Sequence, residues 1–121
     1  MKPLAEVTID GAGGIVIARV AGEIDLSNVD DIRNGLIDAV SHESECLVLD
    51  LTGTTYLDST GVRLLFELAQ RLQARRQDLR LVVDEDAMVH RVIVLTQLHQ
   101  RVPIDTTVDQ ALDAIRTEGT R

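Results

Sequence analysis

A chain of 121 residues, 45% of them apolar, suffices for one domain that buries roughly two thirds of the surface its unfolded form exposes. Twenty acidic residues against twelve basic ones leave a net charge of −8, which disfavours nucleic acid or an anionic membrane as partner. Cys46 is the only cysteine and Lys2 the only lysine, so an internal disulfide, a Walker A loop and a Schiff-base lysine are excluded.

The opening MKPLAEVTIDG has no apolar h-region, and the apolar runs elsewhere are too short to span a bilayer, so a soluble cytoplasmic protein is expected. Val7 to Ile9 and Ile15 to Val20 are apolar and β-branched, separated by Asp10-Gly11-Ala12-Gly13-Gly14, which predicts an antiparallel hairpin. A phosphate cradle would need a helix after the glycines, whereas a strand follows. Ser27-Asn28-Val29-Asp30 fits a capping box with Ser27 as N-cap, opening a helix whose stripe is Ile32, Leu36, Ala39 and Val40. Gly35 weakens that helix by about 1 kcal/mol relative to alanine, which predicts a close packing contact there.

After the polar turn His42 to Glu45, the apolar run Cys46 to Leu51 predicts a buried strand, with the Cys46 thiol inert. A short connection containing Gly53 and the apolar pair Tyr56-Leu57 leads to Asp58-Ser59-Thr60-Gly61. Beyond it Val62, Leu65, Phe66, Ala69 and Leu72 recur with the period of one helix face, so the tetrapeptide sits at a helix N-terminus. Asp58 and Ser59 are both N-cap types. Gln73 to Asp78 predicts a charged connection, Leu79 to Val83 a strand, and Asp84-Glu85-Asp86 the caps of a third helix from about Ala87 to Thr96. The inner face of that helix is Val89, Val92, Ile93 and Thr96. Val102 to Ile104, holding Pro103, predicts an edge strand, and Thr107-Val108-Asp109-Gln110 a capping box for a last helix with the stripe Val108, Ala111, Leu112 and Ile115. Residues 1–4 and 117–121 should fray. His42, His90 and His99 share no metal-ligand spacing, so no metal is expected.

A buried strand ending in Asp50-Leu51, a short connection and Asp58-Ser59-Thr60-Gly61 at the head of an amphipathic helix resemble the signature of the STAS family, and in particular of its bacterial anti-sigma factor antagonists. Gly22-Glu23-Ile24-Asp25 ahead of a capped helix resembles the family's other short motif. The resemblance extends over nearly the whole chain and is specific at residues 22–25 and 50–61. It implies an α/β fold: one STAS-like domain over residues 1–121, with an N-terminal β-hairpin and a mixed sheet of about five strands carrying about four helices mainly on one face. It further implies that Ser59 is phosphorylated by a partner kinase, and that Asp25, Asp58, Ser59, Thr60 and Gly61 form the partner-binding set.

On that reading the partner is an anti-sigma factor that is also a serine kinase. No cofactor, nucleic-acid contact or membrane insertion is expected, and the free protein is a monomer or weak homodimer. The alternative is a STAS subunit or scaffold of a lipid-transport ABC complex or a stressosome-like assembly. An enzyme with Ser59 as nucleophile comes third, because no G-x-S-x-G elbow is present. The chain departs from the family at Thr96-Gln97-Leu98, where many relatives have T-G-L.

Overall fold

The computed structural model describes residues 4–119. Lys2 and the expected frays at residues 1–3 and 120–121 lie outside the described residues. Strands β1 (Ala5–Ala12) and β2 (Ile15–Ile24) form the expected antiparallel hairpin, closed by Gly13-Gly14 alone with φ of 65° and 85°. A two-residue turn with positive φ at both positions matches the twist of the strands, so β1 runs on through Asp10, Gly11 and Ala12. The chain continues through α1 (Val29–Ala39), β3 (Cys46–Asp50), β4 (Thr54–Leu57), α2 (Ser59–Ala74), β5 (Asp78–Val82), α3 (Met88–Leu95), β6 (Ile104–Asp105) and α4 (Val108–Gly119).

The sheet runs β1-β2-β3-β5-β6, and every pairing except β1 with β2 is parallel. The sixth strand, β4, falls within the stretch read as a connection. It pairs with the far end of β2, beyond the point where β3 has left it. Gly22 makes that exchange possible. Its φ of 119° is barred to other residues, a Cβ there would run into the carbonyl oxygen of Leu4, and the register shifts between Gly22 and Glu23. Gly22 N–H donates to Gly53 O at 2.9 Å, after which Glu23 and Ile24 pair with Tyr56 and Leu57.

Side chains alternate across the sheet as the two-residue period requires. Ala18, Val20, Leu47, Leu49, Leu79 and Leu81 belong to the main core with α1, α2 and α3, whereas Cys46, Val48 and Val82 pack with Ala111 of α4 on the other face. Three helices thus cover one face and α4 alone the other. Arg80, buried on the α4 side, is held by Asp105 at 2.9 and 3.3 Å and by Glu118 at 3.5 Å, which ties β5, β6 and the end of α4 together. Burial pushes the Cys46 thiol up to about 12, so it is inert at neutral pH.

Several local expectations are corrected. Ser27 does not cap α1; the N-cap position is Asn28, with no side-chain cap bond, and Ser27 is bonded to Asp25 instead. Gly35 meets no packing contact, since nothing lies within 4 Å of where its Cβ would be. Asp84 to Asp86 do not cap α3: its N-cap position is Ala87, and the Asp84 carboxylate takes the Asp86 N–H within the preceding turn. Leu64 and Leu68 are buried on α2 while Val62 and Phe66 are only partly so, because α2 packs under both α1 and the sheet and buries a wider arc than one stripe. Thr117 to Gly119 are helical rather than frayed, and Leu4 accepts the Glu23 N–H at 3.1 Å. Gln77, read as part of a charged connection, is buried and donates from Nε2 to Ser41 O and Ser44 O, both at 2.8 Å.

The capping box of α4 holds in part. Thr107 Oγ1 accepts from Gln110 N at 3.1 Å, while Gln110 Oε1 accepts from Thr106 N rather than from Thr107 N. The last strand starts one residue after Pro103, whose carbonyl accepts from Leu81 N and which has no N–H to continue the ladder.

Gln97 adopts φ 64° just past α3, in the left-handed region that favours glycine. Gln97→Gly should therefore stabilise the domain by about 0.5–1 kcal/mol, and Gly35→Ala on the open face of α1 by a similar amount. Urea denaturation of both variants checks this; a lower midpoint for either would show that its backbone or surroundings had been misjudged.

Candidate functional site

Parallel pairing of Ile24 with Leu57 puts the ends of β2 and β4 side by side, so the loops leaving them lie side by side as well. Loop β2–α1 carries Asp25, and loop β4–α2 carries Asp58 and opens α2 with Ser59. This is the carboxyl edge of the parallel strands, where open α/β sheets gather their binding surfaces.

Asp58 is the N-cap of α2. Its Oδ1 accepts from Thr60 N at 2.9 Å, from Gly61 N at 3.1 Å and from the Thr60 hydroxyl, and its Oδ2 accepts from Leu26 N at 3.2 Å. Its own N–H donates to Ile24 O at 3.2 Å. One side chain thus satisfies donors of the first helical turn and joins the two loops across 32 residues of sequence. The Thr60 hydroxyl bond, helped by the backbone N–H groups of Gly61, Thr60 and Leu26, holds the Asp58 carboxyl below the usual carboxylate range.

The neighbouring loop is braced by its own polar groups. Asp25 Oδ1 accepts from Ser27 N at 2.9 Å and from the Ser27 hydroxyl; Asp25 N donates to Asn28 Oδ1 at 2.9 Å; and Asn28 Nδ2 donates to Glu23 O at 2.8 Å. Asp25 is half-buried. Its carboxylate is engaged within its own loop and shapes that loop beside Asp58.

Ser59 is the first residue of α2 and is exposed, and among the described residues no hydrogen bond engages its hydroxyl. Thr60, next to it, is half-buried with its hydroxyl committed to Asp58. Of the two adjacent hydroxyls, Ser59 is the accessible one. Gly61 is buried because α2 starts hard against the sheet: a Cβ there would run into Leu57 Cδ1, with Leu57 Cγ at 3.0 Å and Ile24 Cγ2 at 3.2 Å.

All five residues of the expected set therefore fall on one edge. Of the two N-cap types it is Asp58 that caps α2, and it takes the amides of Thr60 and Gly61. Leu26 and Tyr56, exposed on the two loops' elements, were not singled out; Tyr56 lay in the stretch whose strand the sequence pattern conceals. A cleft of about 290 Å³, lined among others by Glu45, Cys46, Asp78 and Arg80, lies at the amino ends of β3 and β5, away from Ser59. No cluster of three or more histidine, cysteine or acidic side chains suited to a metal ion occurs among the described residues, and no described helix is long and apolar enough to cross a membrane.

The STAS domain matches residues 6–111 of the chain. Rv2638 of Mycobacterium tuberculosis H37Rv, named as a candidate anti-anti-sigma factor, is 33% identical over 107 residues, covering 87% of this chain and 72% of that protein. RsfB of the same organism, named an anti-sigma-F factor antagonist, is 25% identical over 111 residues, covering 91% and 88%. Among solved structures, an anti-sigma factor antagonist from Mycobacterium paratuberculosis superposes with a TM-score of 0.83 at 27% identity, over 93% of this chain and 94% of that one.

Gly61→Ala should cost about 1–3 kcal/mol, since α2 must lift from β4 to admit the methyl group. Thermal melting checks the loss, and an unchanged melting temperature would mean that Leu57 yields freely. For Asp58 the sign follows from its lowered pKa: the stabilisation is full above the ordinary aspartate range and is lost as pH falls through the lower folded-state value. Melting temperature followed downward from pH 6 should fall less steeply for Asp58→Asn than for the wild type, and parallel curves would contradict that linkage.

Proposed function

Because the chain belongs to the STAS domain family, we propose that it is an anti-sigma factor antagonist, which binds an anti-sigma factor that is also a serine kinase and is switched off when that kinase phosphorylates Ser59. The observation that carries the reading is the pairing of two hydroxyls at one helix start: Ser59 exposed and unbonded, Thr60 tied to Asp58. The names borne by Rv2638 and RsfB support it. Its place of action is the cytoplasm, and the chain itself is a binding module and not an enzyme.

Phosphoryl transfer needs a base for the serine proton, a metal-bound nucleotide and a positioned acceptor. This chain supplies the acceptor. The Asp58 carboxylate, next to it in sequence, is engaged by Thr60, Gly61 and Leu26, and the Asp25 carboxylate on the adjacent loop by Ser27. On this reading the kinase provides the base that takes the Ser59 proton as the serine oxygen bonds to the γ-phosphorus and ADP departs. The role of Asp58 is to hold the first turn rigid, so that the hydroxyl is presented at a fixed place.

The product is a phosphoserine of close to two negative charges at the first position of α2. The helix dipole favours it, so the fold survives, but the amides of Thr60 and Gly61 are engaged by Asp58 and the phosphate stays at the surface beside that carboxylate. In a complex the phosphate must lose water against a surface shaped for a hydroxyl. An unpaired charge in an interface costs about 2–5 kcal/mol, which is a loss of affinity of roughly thirty-fold to a few thousand-fold.

Incubation with ATP and the purified kinase should add one phosphate to the wild type and none to Ser59→Ala, as read by intact mass and peptide mapping. Calorimetry should then show tight binding for Ser59→Ala, weak binding for the phosphorylated form, and a folded baseline for both. Phosphate on Ser59→Ala, or equal affinities, would sink this assignment; membrane-transporter subunits as the co-purifying partner would point to the other class of STAS protein.

A further inference from the structure

We propose that Leu26 and Tyr56 are the apolar anchors with which this edge docks on the anti-sigma factor, and that they enter an apolar socket with a basic rim; the inference rests on the function proposed above. Leu26 is 74% exposed and Tyr56 43% exposed. A leucine on a mobile loop would carry no information, but Leu26 is fixed. Its N–H is held by Asp58 Oδ2, Asp25 on one side bonds to Ser27 on the other, and Asn28 clamps the loop at both Glu23 and Asp25. A large apolar group held in water by a braced loop has already lost the backbone entropy that docking would otherwise cost. Tyr56 stands on β4, paired with Glu23 and two residues before Asp58, so it lies on the strand that leads into α2 and next to the strand end from which the Leu26 loop departs. Tyrosine supplies contact area at low entropic cost.

Charge selects the occupant. Glu23, Asp25 and Asp58 lie within or beside the two loops, Asp30 and Asp31 follow in the first turn of α1, and the arginine of that helix, Arg33, is engaged by Asp30 and Glu67; against these acids stands Arg63, exposed one turn into α2. A second copy docking through this edge about a two-fold axis would set these carboxylates against one another. Self-association here is therefore disfavoured, and a partner fits whose apolar recess is rimmed by arginine or lysine that these carboxylates pair, with none left over to pair a phosphate on Ser59.

The test uses the full chain against each purified ATP-binding anti-sigma kinase of the source genome. Leu26→Ala and Tyr56→Ala should each weaken binding by about ten-fold to a hundred-fold, while Leu26→Met stays within a few-fold of wild type. In Ser59 phosphorylation assays Leu26→Ala should raise KM and leave kcat unchanged, with an unaltered melting temperature, and wild-type affinity should fall as salt rises. Wild-type affinity in both alanine variants, alongside a wild type that binds, would overturn the anchors and leave the function standing. A fall in kcat at constant KM would overturn them by showing that Leu26 acts through Asp58 on the serine. Salt-insensitive affinity would overturn the basic rim, and a wild type that binds none of the kinases would overturn the function and this inference together.

Discussion

The carboxylate of Asp58 is the interaction on which the site depends. Four donors from two loops converge on its two oxygens, so that the start of α2, the hydroxyl of Thr60 and the backbone of Leu26 are fixed by one group. Without it the first-turn amides would have no partner within the helix and would turn to water. The bonds that fix its neighbours do not involve the Ser59 hydroxyl, which stays exposed at the head of α2.

That knot can form only because the sheet brings the two loops together. β2 pairs with β3 along its first half and with β4 along its second, and the exchange requires the backbone of Gly22 and the close approach of Gly53. Gly61 then lets α2 begin directly against Leu57 and Ile24. Three glycines set the position of a serine to which none of them bonds. The rest of the fold serves rigidity: three helices close one face over a continuous apolar core, and α4 closes the other over a smaller one, with Arg80 buried between two carboxylates at its end. Removing one partner of a buried pair of that kind strands a charge, so α4 and β6 are bound to the sheet by more than their short apolar contact.

Electrostatics gives the edge a direction. Acids crowd the loops beside the helix start, yet the N-terminus of α2 offers a positive dipole end that Asp58 already complements. On the proposed function, a phosphate on Ser59 would be tolerated by the helix and would act on whatever approaches the edge and not on the fold beneath it.

The sequence by itself determined the elements that carry strong local signals. The hairpin was legible from β-branched runs around glycines, α2 from its stripe, the N-terminal position of Asp58 and Ser59 from cap chemistry, and α4 from its stripe and the Thr107 box, because each depends on neighbours within a few residues. The family motifs at residues 22–25 and 50–61 added the order in which these elements meet. Tertiary structure alone decided the rest. β4 is four residues long and has no pattern of its own; it is a strand because β2, exposed by the departure of β3, needs a partner there. Ser27 has the right spacing for a cap, but Asp25 lies closer to its hydroxyl once the loop is folded, and local rules cannot rank such rivals. The bond from Leu26 to Asp58 spans 32 residues, and only the pairing of two strand ends creates it. Sequence thus named the serine, while the accessibility of its hydroxyl, the occupation of Thr60 and the company of Leu26 and Tyr56 came from contacts between segments far apart in the chain.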